Sequence, residues 1–102
     1  MNKEYVISKF KSGVQQIDRK AIILLYGSRA RGDSRVDSDW DFLVLTDLPE
    51  NTETKKLFRD KIFDTELELE EAISTIIHNK EVWQEYEVTP LYQIISKEGI
   101  QV

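Results

Sequence analysis

The chain has 102 residues, 14 of them basic and 19 acidic, for a formal net charge of −5; hydrophobic residues make up 40% and charged residues 32%. That length predicts one domain over residues 1–102 with one modest core. The acidity weighs against binding extended nucleic acid, which needs a basic surface to displace counterions, and the lack of cysteine excludes disulfides and thiolate metal sites. No apolar run approaches membrane-spanning length, and Met1-Asn2-Lys3-Glu4 does not read as a signal peptide, so no membrane contact and a cytoplasmic location are the expectation.

Residues 3–18 predict an amphipathic helix, with Val6, Phe10, Val14 and Ile17 on one stripe and Gly13 as a weak point. Residues 21–26, an unbroken apolar run, predict a strand buried on both faces, and Phe42-Leu43-Val44-Leu45 predicts a second. Pro49 lies just past that strand, since proline cannot donate to a ladder. Residues 51–68 predict a helix capped by Asn51 or Thr52, with Leu57, Phe58, Ile62, Phe63 and Leu67 at helical spacing. Residues 65–70 alternate strictly and also fit a strand. Residues 72–77, rich in β-branched side chains, fit one better. Asn79 is placed to cap a short turn over 80–86, with Trp83, Tyr86 and Tyr92 as core candidates and Tyr86 partly exposed. Thr89-Pro90 starts a last helix with Leu91, Tyr92, Ile94 and Ile95 on its apolar face. Gly99 ends that helix, and Ile100 and Val102 form a short strand or simply pack. The fold class is α/β (α+β): a small mixed sheet packed by helices.

The stretch from Leu25 to Leu45 carries the chemistry. It reads as strand, tight turn at Gly27-Ser28, arginine-bearing loop, and strand again from Asp39-Trp40-Asp41 onward. Side chains on a strand alternate, so Asp39 and Asp41 share a face and Trp40 points away from them into core or interface. Neighbouring carboxylates repel unless a cation joins them, and Mg²⁺ takes one or two carboxylates together with substrate phosphates. Gly27 permits a sharp turn and a close backbone approach. Ser28 is placed to cap a short helix over 29–31 whose free N–H groups face an anion. Arg29, Arg31 and Arg35 make the loop locally positive within an acidic chain, which suits a small anionic ligand. There is no GxxxxGK[ST] phosphate loop, and the lone histidine, His78, makes no metal site by itself.

Gly27-Ser28, ten residues, then Asp39, one residue, Asp41 resembles the signature of the nucleotidyltransferase superfamily that includes DNA polymerase β. The fuller run Gly27-Ser28-Arg29-Ala30-Arg31-Gly32 with Ser38-Asp39-Trp40-Asp41 looks most like its small bacterial branch, the minimal nucleotidyltransferases (MNT). The resemblance implies a nucleotidyltransferase-like fold and Mg²⁺-dependent transfer of a nucleoside monophosphate, AMP from ATP, to a hydroxyl. Two Mg²⁺ ions would be held by Asp39 and Asp41, and the triphosphate by Gly27, Ser28 and Arg29 or Arg31. It also implies a partner in some members: an all-helical HEPN-type protein, a toxin whose tyrosine the antitoxin-like transferase adenylylates.

A third catalytic carboxylate, on a neighbouring strand, is likewise implied. The sequence departs from the pattern there, because residues 72–77 offer Ala72 and Ser74. Candidates upstream are Glu66, Glu68, Glu70 and Glu71, and Glu70 is the one taken, on the condition that the alternating segment is a strand. A weak or inactive nucleotide- and partner-binding module of the same fold is the alternative function. A small-molecule (antibiotic) nucleotidyltransferase ranks third, because such enzymes carry an extra helical domain for the acceptor.

Overall fold

The computed structural model describes residues 2–102, so Met1 and its share of the start read above lie outside it. Asn2 caps the first helix by accepting the Tyr5 N–H. The described elements run α1 (Lys3–Gln15), β1 (Ile22–Tyr26), α2 (Ser28–Arg31), β2 (Trp40–Thr46), α3 (Thr52–Leu69), β3 (Ile73–Asn79), α4 (Lys80–Gln84), α5 (Pro90–Glu98) and β4 (Ile100–Gln101). The strands form one mixed sheet in the order β3-β2-β1-β4. β1 is antiparallel to β2 and β4, while β2 and β3 are parallel. A parallel pair needs a crossover connection, and α3 supplies it.

Strand alternation sorts the apolar residues into two layers. Ile23, Leu25, Trp40, Phe42, Val44 and Ile77 face α1 and α3, where they pack on Val6, Phe10, Val14, Phe58, Ile62 and Leu69. Phe10 and Phe42 stack with ring centroids 3.9 Å apart. On the opposite face Leu43 and Leu45 pack on Trp83 of α4 and Ile95 of α5, flanked by Leu24, Tyr26, Ile76 and Tyr92. Both faces of β2 are therefore covered, which is why its sequence shows no polar alternation beyond Asp41.

Several boundaries differ from the sequence reading, for local reasons. α3 absorbs the alternating segment and ends in Glu70, which adopts a left-handed conformation at φ 56°. Asn51 rather than Thr52 is its cap. Leu57, Phe63 and Leu67 lie on its solvent side, so only part of the apolar set at helical spacing is core. Tyr86 is also exposed, at the far end of an aromatic cluster with His78 and Trp83. Gly13 marks a close helix crossing, where a Cβ would stand 3.3 Å from both Lys61 Cγ and Thr65 Oγ1 on α3. β3 begins one residue later than expected and runs on through His78 to Asn79, whose side chain caps α4. Glu50 accepts from the Asn79 N–H at 2.8 Å and lies 2.6 Å from His78 Nδ1, which accounts for the histidine structurally.

The first helix stops at Gln15 rather than at residue 18, because Asp18 is engaged elsewhere. Its carboxylate accepts from Thr46 Oγ1 at 2.6 Å, from the Asp47 N–H and from the Lys20 N–H, tying the connection before β1 to the end of β2. Burial alone would raise this carboxyl, but those hydrogen bonds and the Lys80 charge outweigh it and hold the group below its ordinary value. A depressed carboxyl stabilises the fold above its unfolded value of 3.8 and loses that contribution as pH falls through the folded one. Asp18→Ala is therefore expected to cost about 2 kcal/mol at pH 7, the scale of hydrogen bonds to a charged acceptor. The gap from wild type should narrow below pH 3.8, as measured by urea unfolding across pH.

Candidate functional site

At the end of β1 the backbone turns through Gly27 at φ +73°, a conformation that disfavours any side chain. The antiparallel register sets Tyr26 opposite Asp41, so this turn stands directly over the Asp41 carboxylate. A Cβ on Gly27 would collide with Asp41 Oδ2. Glycine is thus required twice, by its dihedral and by the close approach. The Gly27 carbonyl accepts the Ala30 and Arg31 N–H groups and opens α2 one residue earlier than expected. Gly27, not Ser28, is the cap position, and Ser28 is the first helical residue.

Asp39 lies just ahead of β2 and is exposed, while Asp41 is half-buried within the strand. Asp41 shares its sheet face with Tyr26 and with Leu43 and Leu45. Its carboxyl is pushed above the ordinary value by burial first and then by the Asp39 charge; Arg31 opposes the shift and Glu98 adds to it. The Tyr26 phenol is raised too, by burial and by the Asp41 charge. A carboxyl raised by a neighbouring carboxylate's charge, as Asp41 is by Asp39, favours a cation between the two. Asp39 and Asp41 fit a Mg²⁺ that draws its other ligands from phosphate oxygens and water. Among the described residues no group of three or more carboxylates or imidazoles is arranged to hold a metal ion.

Trp40, between the two aspartates, is buried in the α1/α3 layer as its position predicts. Arg29 lies over it, with the guanidinium carbon 4.3 Å from the ring centroid. The same guanidinium donates to the Ser38 carbonyl at 2.9 Å and to Ser34 Oγ and the Val36 carbonyl at 3.4 Å. Arg29 therefore holds the loop that delivers Asp39. Arg31 is half-exposed and is the arginine whose charge reaches Asp41.

The strand that would have carried Glu70 toward the aspartates does not form. Glu70 ends α3 and is exposed. Glu68 pairs with Lys9 at 2.7 Å, and Glu66 accepts the Ile73 N–H. The residue beside Asp41 on β3, in register and on the same face, is Ser74. The acidic residue that does reach the site is one the sequence did not single out. Glu98, the last residue of α5, accepts from the Gly27 N–H at 3.1 Å and from Arg31 Nη1 at 3.1 and 3.2 Å. Its only sequence signal was a place in the last turn before Gly99; nothing local ties it to a glycine 71 residues away.

The fold and the Gly27–Asp39–Asp41 arrangement together define a nucleotidyltransferase-like domain. The chain belongs to the nucleotidyltransferase domain family, whose model matches residues 7–101. It shares its fold with a solved structure described as "Crystal structure of the toxin-antitoxin with AMP-PNP", at 21% identity and a TM-score of 0.66, over 98% of this chain and 72% of that one. No curated protein matches it.

Two outcomes follow from the geometry. Gly27→Ala should lower stability, because the strained dihedral and the collision with Asp41 act together; circular dichroism melting checks it. Asp41→Asn should raise Tm at pH 7. A carboxyl with a raised folded pKa contributes stability below its unfolded value of 3.8 and loses it as pH rises through the folded value. The gain from the neutral amide should therefore vanish near pH 3, where wild-type Asp41 is protonated.

Proposed function

We propose that this chain transfers a nucleoside monophosphate, AMP from ATP, to a hydroxyl acceptor. The observation that carries the reading is the seating of the Gly27 backbone against Asp41, with Asp39 beside it, in a member of the nucleotidyltransferase family. Asp39 and Asp41 would hold Mg²⁺, two ions in the full site. Gly27 and Ser28 present backbone and hydroxyl donors to the β- and γ-phosphates, and Arg31 neutralises charge as pyrophosphate leaves. Arg29 contributes by holding the loop of Asp39. The metal, when bound, offsets the charge that develops on the phosphoryl oxygens. The chain's own part is to fix the α-phosphate in line and keep the developing charge next to preplaced donors.

A protein acceptor is supported by the structural neighbour, whose description names a toxin-antitoxin and a nucleotide analogue. With the resemblance to minimal nucleotidyltransferases, that favours a tyrosine of a helical HEPN-type partner over a small molecule. A second reading is favoured by Ser74. Where a third carboxylate would stand beside Asp41, the chain has a hydroxyl, and Glu70 is committed to the end of α3. The chain would then bind nucleotide and partner while transferring slowly.

Calorimetry with ATP, with and without Mg²⁺, tests the common core. Binding should require Mg²⁺ and be lost in Asp39→Ala/Asp41→Ala; equal binding by the double variant would overturn the site. Ser74→Asp separates the two readings. If deprotonation of the acceptor limits the reaction, restoring a carboxylate there should raise the rate of AMP transfer about a hundredfold, the lower range for a positioned general base. A wild-type rate that Ser74→Asp leaves unchanged would remove the slow-transfer reading.

A further inference from the structure

In the free protein the donors assigned to the triphosphate already hold an anion, and that anion belongs to the chain. Glu98 Oε1 takes the Gly27 N–H at 3.1 Å, and both Glu98 oxygens take Arg31 Nη1 at 3.1 and 3.2 Å. The Glu98 side chain is 21% exposed and its bond to the Gly27 N–H is part-buried, while Arg31 reaches it from a half-exposed position; hydrogen bonds of this charge-assisted kind are stronger than neutral ones. Among the described residues Glu98 is not grouped with Asp39 and Asp41 in an arrangement of three or more acids that could hold an ion. Its partners are the backbone donor and the guanidinium, which are phosphate-type partners.

The surrounding charge sharpens the point. Asp39 and Glu98 both add negative charge at Asp41, and Arg31, the cation that opposes them there, is itself shared with Asp33 at 3.2 Å, while Arg29 is turned to the Ser38 carbonyl. An incoming anion meets the carboxylates of Asp39, Asp41 and Glu98, and finds the Gly27 N–H and Arg31 already occupied.

We propose that Glu98 is a built-in competitor for the phosphate donors and sets what the site accepts: a polyphosphate carrying its own divalent cation displaces it, and a small free anion does not. The inference rests on the nucleotide reading above. A phosphate chain with bound Mg²⁺ brings cation to Asp39 and Asp41 while its oxygens replace the carboxylate on Gly27 and Arg31. Inorganic phosphate offers one weak replacement and no relief of the repulsion. The apparent affinity of wild type is reduced by the fraction of molecules in which Glu98 holds the donors.

The test is calorimetry of wild type and Glu98→Gln with MgATP, tripolyphosphate without metal, and inorganic phosphate. Glu98→Ala serves as the second variant, and amide spectra of both confirm the fold. The expected result is about tenfold tighter MgATP binding in both variants. Measurable tripolyphosphate binding without metal should appear in the variants and not in wild type. The Gly27 amide resonance should shift on mutation, reporting loss of the carboxylate. If wild type binds MgATP and the variants bind it equally or more weakly, Glu98 is a ligand or a bystander; the competitor proposal fails while the nucleotide reading stands. If neither wild type nor variant binds any polyphosphate, the nucleotide reading fails and takes the proposal with it.

Discussion

The structure depends on the contact between a backbone turn and a carboxylate. Pairing β1 with β2 in the register Tyr26↔Asp41 sets the end of one strand over the start of the other, and only a residue without a Cβ can stand there. The apolar residues that fill β1 and β2 fix this register, because a slip by one would send Asp41 into the layer of Phe10 and Phe58 and Trp40 out of it. The site is in that sense a by-product of core packing. The same alternation that buries Trp40, Phe42 and Val44 under α1 and α3 presents Asp41 on the opposite face, at the edge of the α4/α5 layer.

The loop between these strands has its own support. Arg29, packed on Trp40 and bonded to Ser38, Ser34 and Val36, links the hydrophobic layer to the segment that ends in Asp39. One arginine is thereby used for architecture and the other, Arg31, is left where its charge acts on Asp41. A sequence shows two equivalent arginines two residues apart, and the fold gives them different work.

Electrostatically the site is held against its own interest. Asp41 is half-buried beside Asp39, and its carboxyl is raised in consequence, an arrangement that costs stability and that a cation relieves. Glu98 adds a further negative charge while satisfying Gly27 and Arg31. On the proposed nucleotide reading, these opposed demands would make the region respond to metal and phosphate together, since each would offset the charge that makes the other costly.

Much of this was legible in the chain itself. The local signals were strong where one segment decides its own conformation: Thr89 and Pro90 at the start of α5, Asn79 ahead of α4, and the apolar runs of β1 and β2. Gly27, Ser28, Asp39 and Asp41 stood out because a turn, a spacing and a pair of carboxylates are properties of neighbouring residues. The alternating segment at 65–70 was ambiguous because its pattern suits a half-buried strand as well as a helix, and only the packing of Leu69 against the sheet, with Leu67 left in solvent, decided for α3. With that choice Glu70 went to a helix end and Ser74 to the place beside Asp41. The part played by Glu98 was decided by tertiary structure alone, since it rests on α5 packing over β1 through Ile95, which brings together residues 71 positions apart with no local pattern to announce them. Sequence by itself determined the two aspartates and the glycine turn; the fold determined which other charges they face.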